Sequence, residues 1–209
     1  MEPPRIEYDV DGLLEANAAA DPFDQFAGWF QEAVEADVPE ANMMTLATVD
    51  GAGNPDARIV LLKGHGPAGF VFYTNYASDK GQQLADRPEA TLVFLWQSLH
   101  RQVRVSGSVE KVDVAESDRY FASRPRGSQL AARASDQSSV IASRDVLKVR
   151  YETEESRWAG QEVPRPQTWG GYRVIPRRIE FWQGQVNRLH DRIVYRLTES
   201  GWVCQRLSP

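Results

Sequence analysis

The sequence predicts a mainly β fold, an antiparallel barrel with peripheral helices packed on its outside. Three observations lead to this fold class: many short segments with strand patterning, short turn clusters between most of them, and few long amphipathic helices. The 209 residues, 42% hydrophobic and 25% charged, suit one globular domain with a sizeable core. No internal repeat or low-complexity linker divides the chain. We therefore expect an N-terminal arm, residues 1–20, and a single domain, residues 21–209.

The first half is predicted to open with a helix and to continue mainly as strands. Asp21 and Pro22 are typical of a helix start, and apolar residues at helical spacing follow, which predicts a helix over 22–36. A second helix is expected over Ser78–Asp86, before Pro88. Turn residues 50–55 join two strands into a hairpin. The strands predicted here are 43–49, 57–63, 70–74, 90–96 and 102–112.

The second half is predicted to be helical first and then β. Residues 114–158 have helical character, with breaks at Pro125 and Gly127. Strand-like segments follow the proline-rich stretch 164–166. These segments are 172–174, 179–182, 189–197 and 202–207.

Composition excludes several classes of function. The net charge of −5 disfavours binding to nucleic acid, which normally needs a basic face. Cys204 is the single cysteine, so an intrachain disulfide and a paired-cysteine metal site are excluded. The N-terminus lacks signal-peptide patterning, and the longest apolar run, 92–96, is too short to span a membrane. We expect a cytoplasmic protein with no metal, no membrane and no nucleic-acid partner.

The run Phe181–Arg192 concentrates polar and charged groups in twelve residues. If Arg188 to Arg192 is extended, Arg188, His190 and Arg192 share one face. Two fixed cations beside an imidazole favour an anion-binding face. An exposed edge strand with solvated charges explains the same pattern equally well.

Further donors for anions lie upstream. Ser78 and Lys80 stand at a predicted helix start, where phosphates bind, although a simple N-cap at Ser78 explains the serine as well. The segment 117–129 concentrates Tyr, Arg and Ser, the donors that a phosphate monoester needs. The segment 58–63 has cations at both ends and a middle apolar enough for a buried strand. Gln102 offers an amide to the edge of a heterocycle.

Other catalytic patterns find no support. The glycine-rich stretch 64–69 matches a dinucleotide fingerprint, but a strand follows it where that fingerprint needs a helix. A nucleophile elbow of the G-x-S-x-G type is absent from the sequence. His65 and His100 fall in predicted turns and are expected at the surface. The chemistry is therefore expected from a bound cofactor that the protein orients.

Together these motifs resemble the pyridoxamine 5′-phosphate oxidase family, whose members use FMN to make pyridoxal 5′-phosphate. The resemblance runs from about Arg5 to Pro209. It is carried by Arg58–Lys63, Phe72–Asn75, Arg101–Val103, Tyr120–Pro125, Ser128–Gln129, Gln137–Ser138, Trp169–Val174, Glu180–Gly184 and Arg188–Arg192.

The resemblance implies an FMN-binding split β-barrel that forms a homodimer with FMN at the subunit interface. The residues matched to the cofactor site are Arg58, Val60, Leu61, Lys63, Tyr73, Thr74, Ser78, Lys80, Gln102, Gln137, Ser138, Trp182 and Arg192. Those matched to the substrate phosphate are Lys63, Tyr120, Arg124 and Ser128. Arg188 and His190 match the catalytic pair over the substrate ring, and Arg5 and Tyr8 match a substrate-binding lid.

The implied reaction oxidises a phosphorylated B6 vitamer with O2. Pyridoxamine or pyridoxine 5′-phosphate becomes pyridoxal 5′-phosphate, and hydrogen peroxide is released. Two alternatives stay open: a split-barrel flavin reductase with another substrate, and a non-catalytic protein that binds FMN or pyridoxal phosphate.

The chain departs from the family pattern at three positions. Asp79 stands where the family often has Arg, and a carboxylate there is expected to repel a phosphate unless it points away. Gln185 and Ala131 replace frequent glycines.

Overall fold

The computed structural model describes residues 12–209. Arg5, Tyr8 and the rest of 1–11 lie outside the described residues, and the division into an arm and one domain stays a prediction. The helices are α1 (Pro22–Glu35), α2 (Asp79–Asp86), α3 (Val114–Ser123), α4 (Arg126–Ala134) and α5 (Arg144–Arg157). The strands are β1 (Met43–Val49), β2 (Pro55–Leu61), β3 (Phe70–Asn75), β4 (Glu89–Trp96), β5 (Arg101–Lys111), β6 (Trp169–Gln183), β7 (Asp191–Thr198) and β8 (Gly201–Arg206).

The strands form one antiparallel sheet in the order β2-β1-β4-β5-β6-β7-β8, and β3 pairs with β6. A long β6 makes this arrangement possible, because residues 169–174 pair with β3 while residues 178–183 pair with β7. The predicted segments 172–174 and 179–182 are thus one continuous strand. The prediction of a mainly β protein with peripheral helices is confirmed.

Closure of the sheet into a barrel stays a prediction. After β2, one isolated antiparallel bridge joins Gly64 to Val71 of β3. The backbone N–H of Lys63 also donates to the Val71 carbonyl, at 2.8 Å. Within residues 12–209 these contacts join β3 to the segment just after β2, and they do not form a ladder along both strands.

A bulge in the β5–β6 ladder depends on Gly107. The register shifts between Ser106 and Gly107, where Arg177 is skipped on β6. A Cβ at Gly107 would stand 1.9 Å from the carbonyl oxygen of Ile175, so no other residue fits without backbone movement.

Two apolar clusters fill the interior. The main one lies between α1 and the sheet, and the α1 prediction is confirmed: Asp21 caps the helix and accepts from Phe23 N at 2.6 Å. Phe26 and Ala33 are fully buried on its inner face. A smaller cluster gathers residues from α3, α4, β6 and the segment before β6. Its buried members are Phe121, Leu130, Val163 and Trp169.

Two expectations about strands are wrong. The middle of 58–63 is buried only at Leu62: Ile59 and Leu61 are 56% and 37% exposed, because β2 lies at the edge of the sheet and, within residues 12–209, forms a ladder with β1 alone. The run Arg188–Arg192 is not extended: Arg188 has φ 62° and β7 begins only at Asp191. A tight turn with left-handed residues joins β6 to β7 there.

Candidate active site

A cavity of about 690 Å³ opens between β2, the end of β3, the start of α2 and the α3–α4 region. It brings together eleven of the residues predicted for cofactor or substrate. They are Arg58, Val60, Leu61, Lys63, Tyr73, Thr74, Lys80, Tyr120, Arg124, Ser128 and Gln137. The other lining residues are Ile59, Asn75, Pro125 and Trp169.

The cavity is strongly cationic. Arg58, Lys63, Lys80 and Arg124 line it, and no carboxylate does among the described residues. Burial lowers the pKa of Lys80, and the nearby Arg58 guanidinium lowers it further. The site thus holds like charges together, which costs free energy that a bound anion offsets.

Arg58 is held in place before any ligand arrives. Its Nη1 donates to Thr48 Oγ1 at 2.5 Å and its Nη2 donates to Gln83 Oε1 at 2.9 Å. Its Nη2 also forms an ion pair with Asp56. Because the guanidinium is planar and fixed at several edges, it is preorganised for a phosphate.

The start of α2 places Lys80 in the cavity wall. Ser78 is the N-cap of this helix, and its Oγ accepts from Gly81 N at 3.4 Å while donating to the Asn75 carbonyl at 2.6 Å. Ser78 is completely buried and does not line the cavity, so its side chain serves the helix start. Asp79, by contrast, is exposed and also outside the lining.

The loop after α4 is tied to this helix start. Thr74 Oγ1 donates to Gln137 Oε1 at 3.2 Å, and Asp79 N donates to Ser138 Oγ at 3.2 Å. Ser138 has φ 73°, a conformation that a non-glycine residue adopts only under constraint. These contacts hold Gln137 and Ser138 beside β3 and α2.

Arg124 brings an unpaired hydrogen-bond donor to the cavity wall. Its Nη1 is buried and has no hydrogen-bond partner among residues 12–209, and burial lowers the pKa of its guanidinium. Its guanidinium carbon lies 4.6 Å from the ring centroid of Trp169. A buried donor without an acceptor is costly, and a ligand oxygen at this position would satisfy it.

A second group of predicted residues lies on β5, β6 and β7. Gln102, Trp182 and Arg192 are register neighbours across these three strands. Neither they nor Arg188 and His190 line the cavity. One chain therefore presents two separate sets of predicted site residues.

His190 is oriented by the turn that precedes β7. Gln185 N donates to His190 Nδ1 at 3.1 Å, and the His190 ring lies 4.7 Å from that of Trp182. A nitrogen that accepts carries no proton, so in this arrangement the neutral ring is protonated at Nε2. Gln185 thus helps to set the tautomer. Arg188 is exposed in the same turn.

Arg192 is held by a buried acid that the sequence reasoning did not single out. Glu180 is 1% exposed and accepts from Arg192 Nε at 3.0 Å and Nη2 at 2.7 Å. The same carboxylate pairs with Arg178 and with Arg104. A charged residue in the middle of a strand ladder is the signal that could have found it.

The cavity also fits a phosphorylated cofactor such as FMN. Arg58 and Lys80 would supply charge for one phosphate at the α2 start, and Lys63, Arg124 and Ser128 line the same space with donors that would suit a second. Trp169 also lines the space and was missed as a site residue: its motif carries the resemblance, but no role was matched to it and the predicted strand begins only at residue 172.

The described residues contain neither a candidate metal site nor a helix that could span a membrane. None of their His, Cys, Asp or Glu side chains group in a way that could hold a metal ion. No helix in 12–209 has the length and apolarity needed to cross a bilayer.

Two family profiles match the chain. The profile described as pyridoxamine 5′-phosphate oxidase matches residues 30–157, and that described as the pyridoxine 5′-phosphate oxidase C-terminal dimerisation region matches 169–209. A pyridoxine/pyridoxamine 5′-phosphate oxidase of Acaryochloris marina is 55% identical over 98% of this chain and 94% of its own length. That of Burkholderia cenocepacia is 55% identical over 98% and 97%.

Solved structures agree on the fold. PhzG from Burkholderia lata, solved in complex with tetrahydrophenazine-1-carboxylic acid, superposes with a TM-score of 0.90 at 26% identity, over 97% of this chain and all of that one. A pyridoxamine 5′-phosphate oxidase-related, FMN-binding protein of Nostoc punctiforme gives 0.71 at 14% identity, over 88% and 97%. The cationic cavity, the ordered motifs and the near full-length relatives lead to one conclusion: the chain belongs to the pyridoxamine 5′-phosphate oxidase family and is an oxidoreductase.

Proposed function

We propose that this protein oxidises pyridoxamine 5′-phosphate and pyridoxine 5′-phosphate to pyridoxal 5′-phosphate, with O2 as the final electron acceptor. FMN is the cofactor. The observation that carries the proposal is the cavity itself: residues 12–209 give it four lining cations, no lining carboxylate, and a buried Arg124 N–H without an acceptor among them. Two phosphorylated molecules, the cofactor and the substrate, account for that excess of positive charge. Location in the cytoplasm is part of the proposal.

We propose a homodimer in which the cavity of one chain faces the second group of predicted site residues, on β5, β6 and β7, of its partner. The C-terminal match to a dimerisation region supports this, as do exposed apolar residues on the sheet. Ile59 on β2 and Leu95 on β4 are 56% and 63% exposed. In the dimer, Gln102, Trp182 and Arg192 would complete the flavin site, and Arg188 and His190 the substrate site.

The chain's own residues bind and orient the reactants. Arg58 and Lys80 would hold the cofactor phosphate. Ser78 would fix the start of α2, which carries Lys80. Lys63, Tyr120, Arg124 and Ser128 would grip the substrate phosphate, so that the ring is held at one end.

The catalytic pair would act at the other end of the substrate. Arg188 would stabilise charge that develops on the ring, and His190, with its tautomer set by Gln185 N, would orient the reacting group through Nε2. The lid role of Arg5 and Tyr8 stays a prediction.

FMN, when bound, supplies the two-electron acceptor and its reoxidation by O2. The amine substrate, water and O2 give the aldehyde, ammonia and hydrogen peroxide. The alcohol substrate and O2 give the aldehyde and hydrogen peroxide.

The test is oxidation of pyridoxamine 5′-phosphate by the purified protein with added FMN under air. We expect aldehyde and peroxide in equal amounts, and a flavin spectrum that bleaches when the substrate is added without O2. A protein that binds FMN but neither bleaches nor forms aldehyde would refute the oxidase proposal. The non-catalytic binding protein would then be the remaining alternative.

A second candidate is a flavoenzyme that acts on a different ring acid. The superposition with PhzG, which was solved with a tetrahydrophenazine carboxylic acid, favours it. The cations predicted for the substrate phosphate argue against it, since a carboxylate needs fewer donors. A direct comparison of substrates decides between them: the proposed function requires the FMN-loaded protein to oxidise pyridoxamine 5′-phosphate and not an unphosphorylated ring acid, and the second candidate requires the reverse.

A further inference from the structure

Trp169 is a residue of the cavity wall to which neither the motifs nor the proposed function give a role. It opens β6, is 7% exposed and lines the cavity. Its backbone N–H donates to the Pro166 carbonyl at 3.0 Å, and its carbonyl accepts from Arg165 Nη1. Phe121 packs edge-on against its ring, with centroids 5.2 Å apart. The indole is therefore fixed from both the backbone and the side chain.

Arg124 lies over the face of this indole. Its guanidinium carbon is 4.6 Å from the Trp169 ring centroid and 5.6 Å from that of Phe121. A guanidinium stacked on an aromatic face keeps its N–H groups in its own plane, where they can still donate hydrogen bonds. The aromatic face does not neutralise the positive charge. One of these N–H groups, Nη1, is the buried donor that has no hydrogen-bond partner in the described part of the chain.

The same indole belongs to a stack of three nearly parallel rings. Tyr73 and Tyr120 lie 3.9 Å apart, and their centroids are 5.5 Å and 6.1 Å from that of Trp169. Tyr120 is matched to the substrate phosphate and Tyr73 to the flavin. The position of Trp169 thus influences two donors of the substrate phosphate at once.

We propose that Trp169 is a positioning residue that holds Arg124 and Tyr120 in the geometry that binds the substrate phosphate, and so sets the preference for phosphorylated over unphosphorylated substrates. The inference rests on the proposed function. Trp169 acts through Arg124. A half-buried arginine is often oriented by a carboxylate, and here the Trp169 ring orients it instead. A carboxylate there would compete with the phosphate, whereas an aromatic face does not.

The test compares Trp169→Leu and Trp169→Phe with the wild-type protein on two substrates. Pyridoxamine 5′-phosphate carries the phosphate and pyridoxamine does not. We expect Trp169→Leu to raise KM for the phosphorylated substrate about tenfold, the effect of one desolvated cation–π contact, with kcat changed less than about twofold. For pyridoxamine, the rate of anaerobic flavin reduction should stay within about twofold. Trp169→Phe, which keeps an aromatic face, should recover most of the loss.

Trp158→Leu is the matched control. Trp158 packs against the same apolar cluster and carries Arg133 and Arg157 at 5.0 Å and 5.3 Å from its centroid, but it does not line the cavity. It should lower thermal stability as Trp169→Leu does and leave KM unchanged. This separates loss of packing from loss of phosphate recognition.

Three results would overturn the inference. KM for the phosphorylated substrate could stay unchanged in Trp169→Leu, the rates on both substrates could fall equally, or the dissociation constant of FMN could rise without a rise in KM. The last result would assign Trp169 to the flavin through Tyr73. A wild-type protein that fails to oxidise either substrate would instead refute the proposed function, so the two failures are distinguishable.

Discussion

Arg58 shares its guanidinium among several acceptors, and one of them, Asp56, carries the opposite charge. The Asp56 side chain is 47% exposed, and hydrogen bonding to Gln83 together with the Arg58 charge lowers its pKa. A phosphate that binds Arg58 must share this cation with Asp56. Asp79, which the sequence marks as the repelling carboxylate, is exposed and outside the cavity lining.

Replacement of Asp56 by Asn should therefore tighten FMN binding. We expect the dissociation constant to fall about two- to fivefold, because the competing charge is lost while Thr48 and Gln83 still orient Arg58. Quenching of flavin fluorescence on titration measures it. Asp79→Asn is the control and should change the constant less than about twofold. An equal or larger effect at Asp79 would contradict this account.

Glu180, on the interior strand β6, pairs with three arginines, Arg104, Arg178 and Arg192. Burial lowers the pKa of Arg178, and Glu180 opposes this shift while the neighbouring arginines add to it. The folded state thus depends on one buried negative charge.

Glu180→Gln keeps the shape of the side chain and removes its charge. The free energy of unfolding should fall by about 3 kcal/mol, since three arginines, two of them partly buried, lose the buried carboxylate that pairs with them. Urea unfolding followed by tryptophan fluorescence measures it. Glu89→Gln is matched to it, because the Arg177–Glu89 pair is well exposed, and it should cost less than about 1 kcal/mol. Similar losses in both variants would show that burial of Glu180 contributes nothing.

At the scale of elements, α2 couples local helix chemistry to the site. Its N-cap, Ser78, is completely buried, and Lys80 in its first turn reaches the cavity. Gly81 lets the helix approach the preceding loop, because a Cβ there would stand 2.3 Å from the Tyr76 carbonyl oxygen. The position of one cation therefore depends on how the helix begins.

Ser78→Ala removes the cap and should lower the free energy of unfolding by about 1 kcal/mol. It should also weaken FMN binding, because the helix start that carries Lys80 loosens. Thermal unfolding and flavin titration measure the two effects. Ser143→Ala is the control: Ser143 stands at the N-cap of α5 but makes no capping bond, so its loss should cost less than about 0.5 kcal/mol. If Ser78→Ala lowers stability and leaves FMN affinity unchanged, the helix cap does not affect the cofactor site.

At the scale of the whole molecule, the two sets of site residues lie on separate parts of one chain, and the proposed dimer unites them. Arg124 belongs to the cavity, and Arg188 belongs to the turn before β7. If these side chains reach one substrate from two chains, each active site needs one intact copy of each.

Complementation tests this arrangement. Arg124→Leu and Arg188→Leu should each be nearly inactive. Equal amounts of the two variants, refolded together, should regain about a quarter of wild-type activity, because half of the dimers are mixed and each mixed dimer has one intact site. Each variant refolded alone is the control. No recovery despite mixed dimers on native mass spectrometry would place both residues in one chain's site.

The sequence by itself determined the class of fold, most element positions and the family. Strand β1 and helix α1 follow from local period and capping, which neighbouring residues decide. The family motifs likewise pointed to eleven of the cavity's lining residues.

Only the tertiary structure decided how those residues meet. It placed Asp56 rather than Asp79 on Arg58, Trp169 beneath Arg124, and Glu180 against Arg192, and it turned Arg188 out of the strand. Each of these outcomes depends on contacts between distant parts of the chain or on a turn geometry that local patterns leave open. Electrostatic and stacking interactions act between residues that are close in space. The residues that tune a site are therefore determined by the fold and not by their spacing in the sequence.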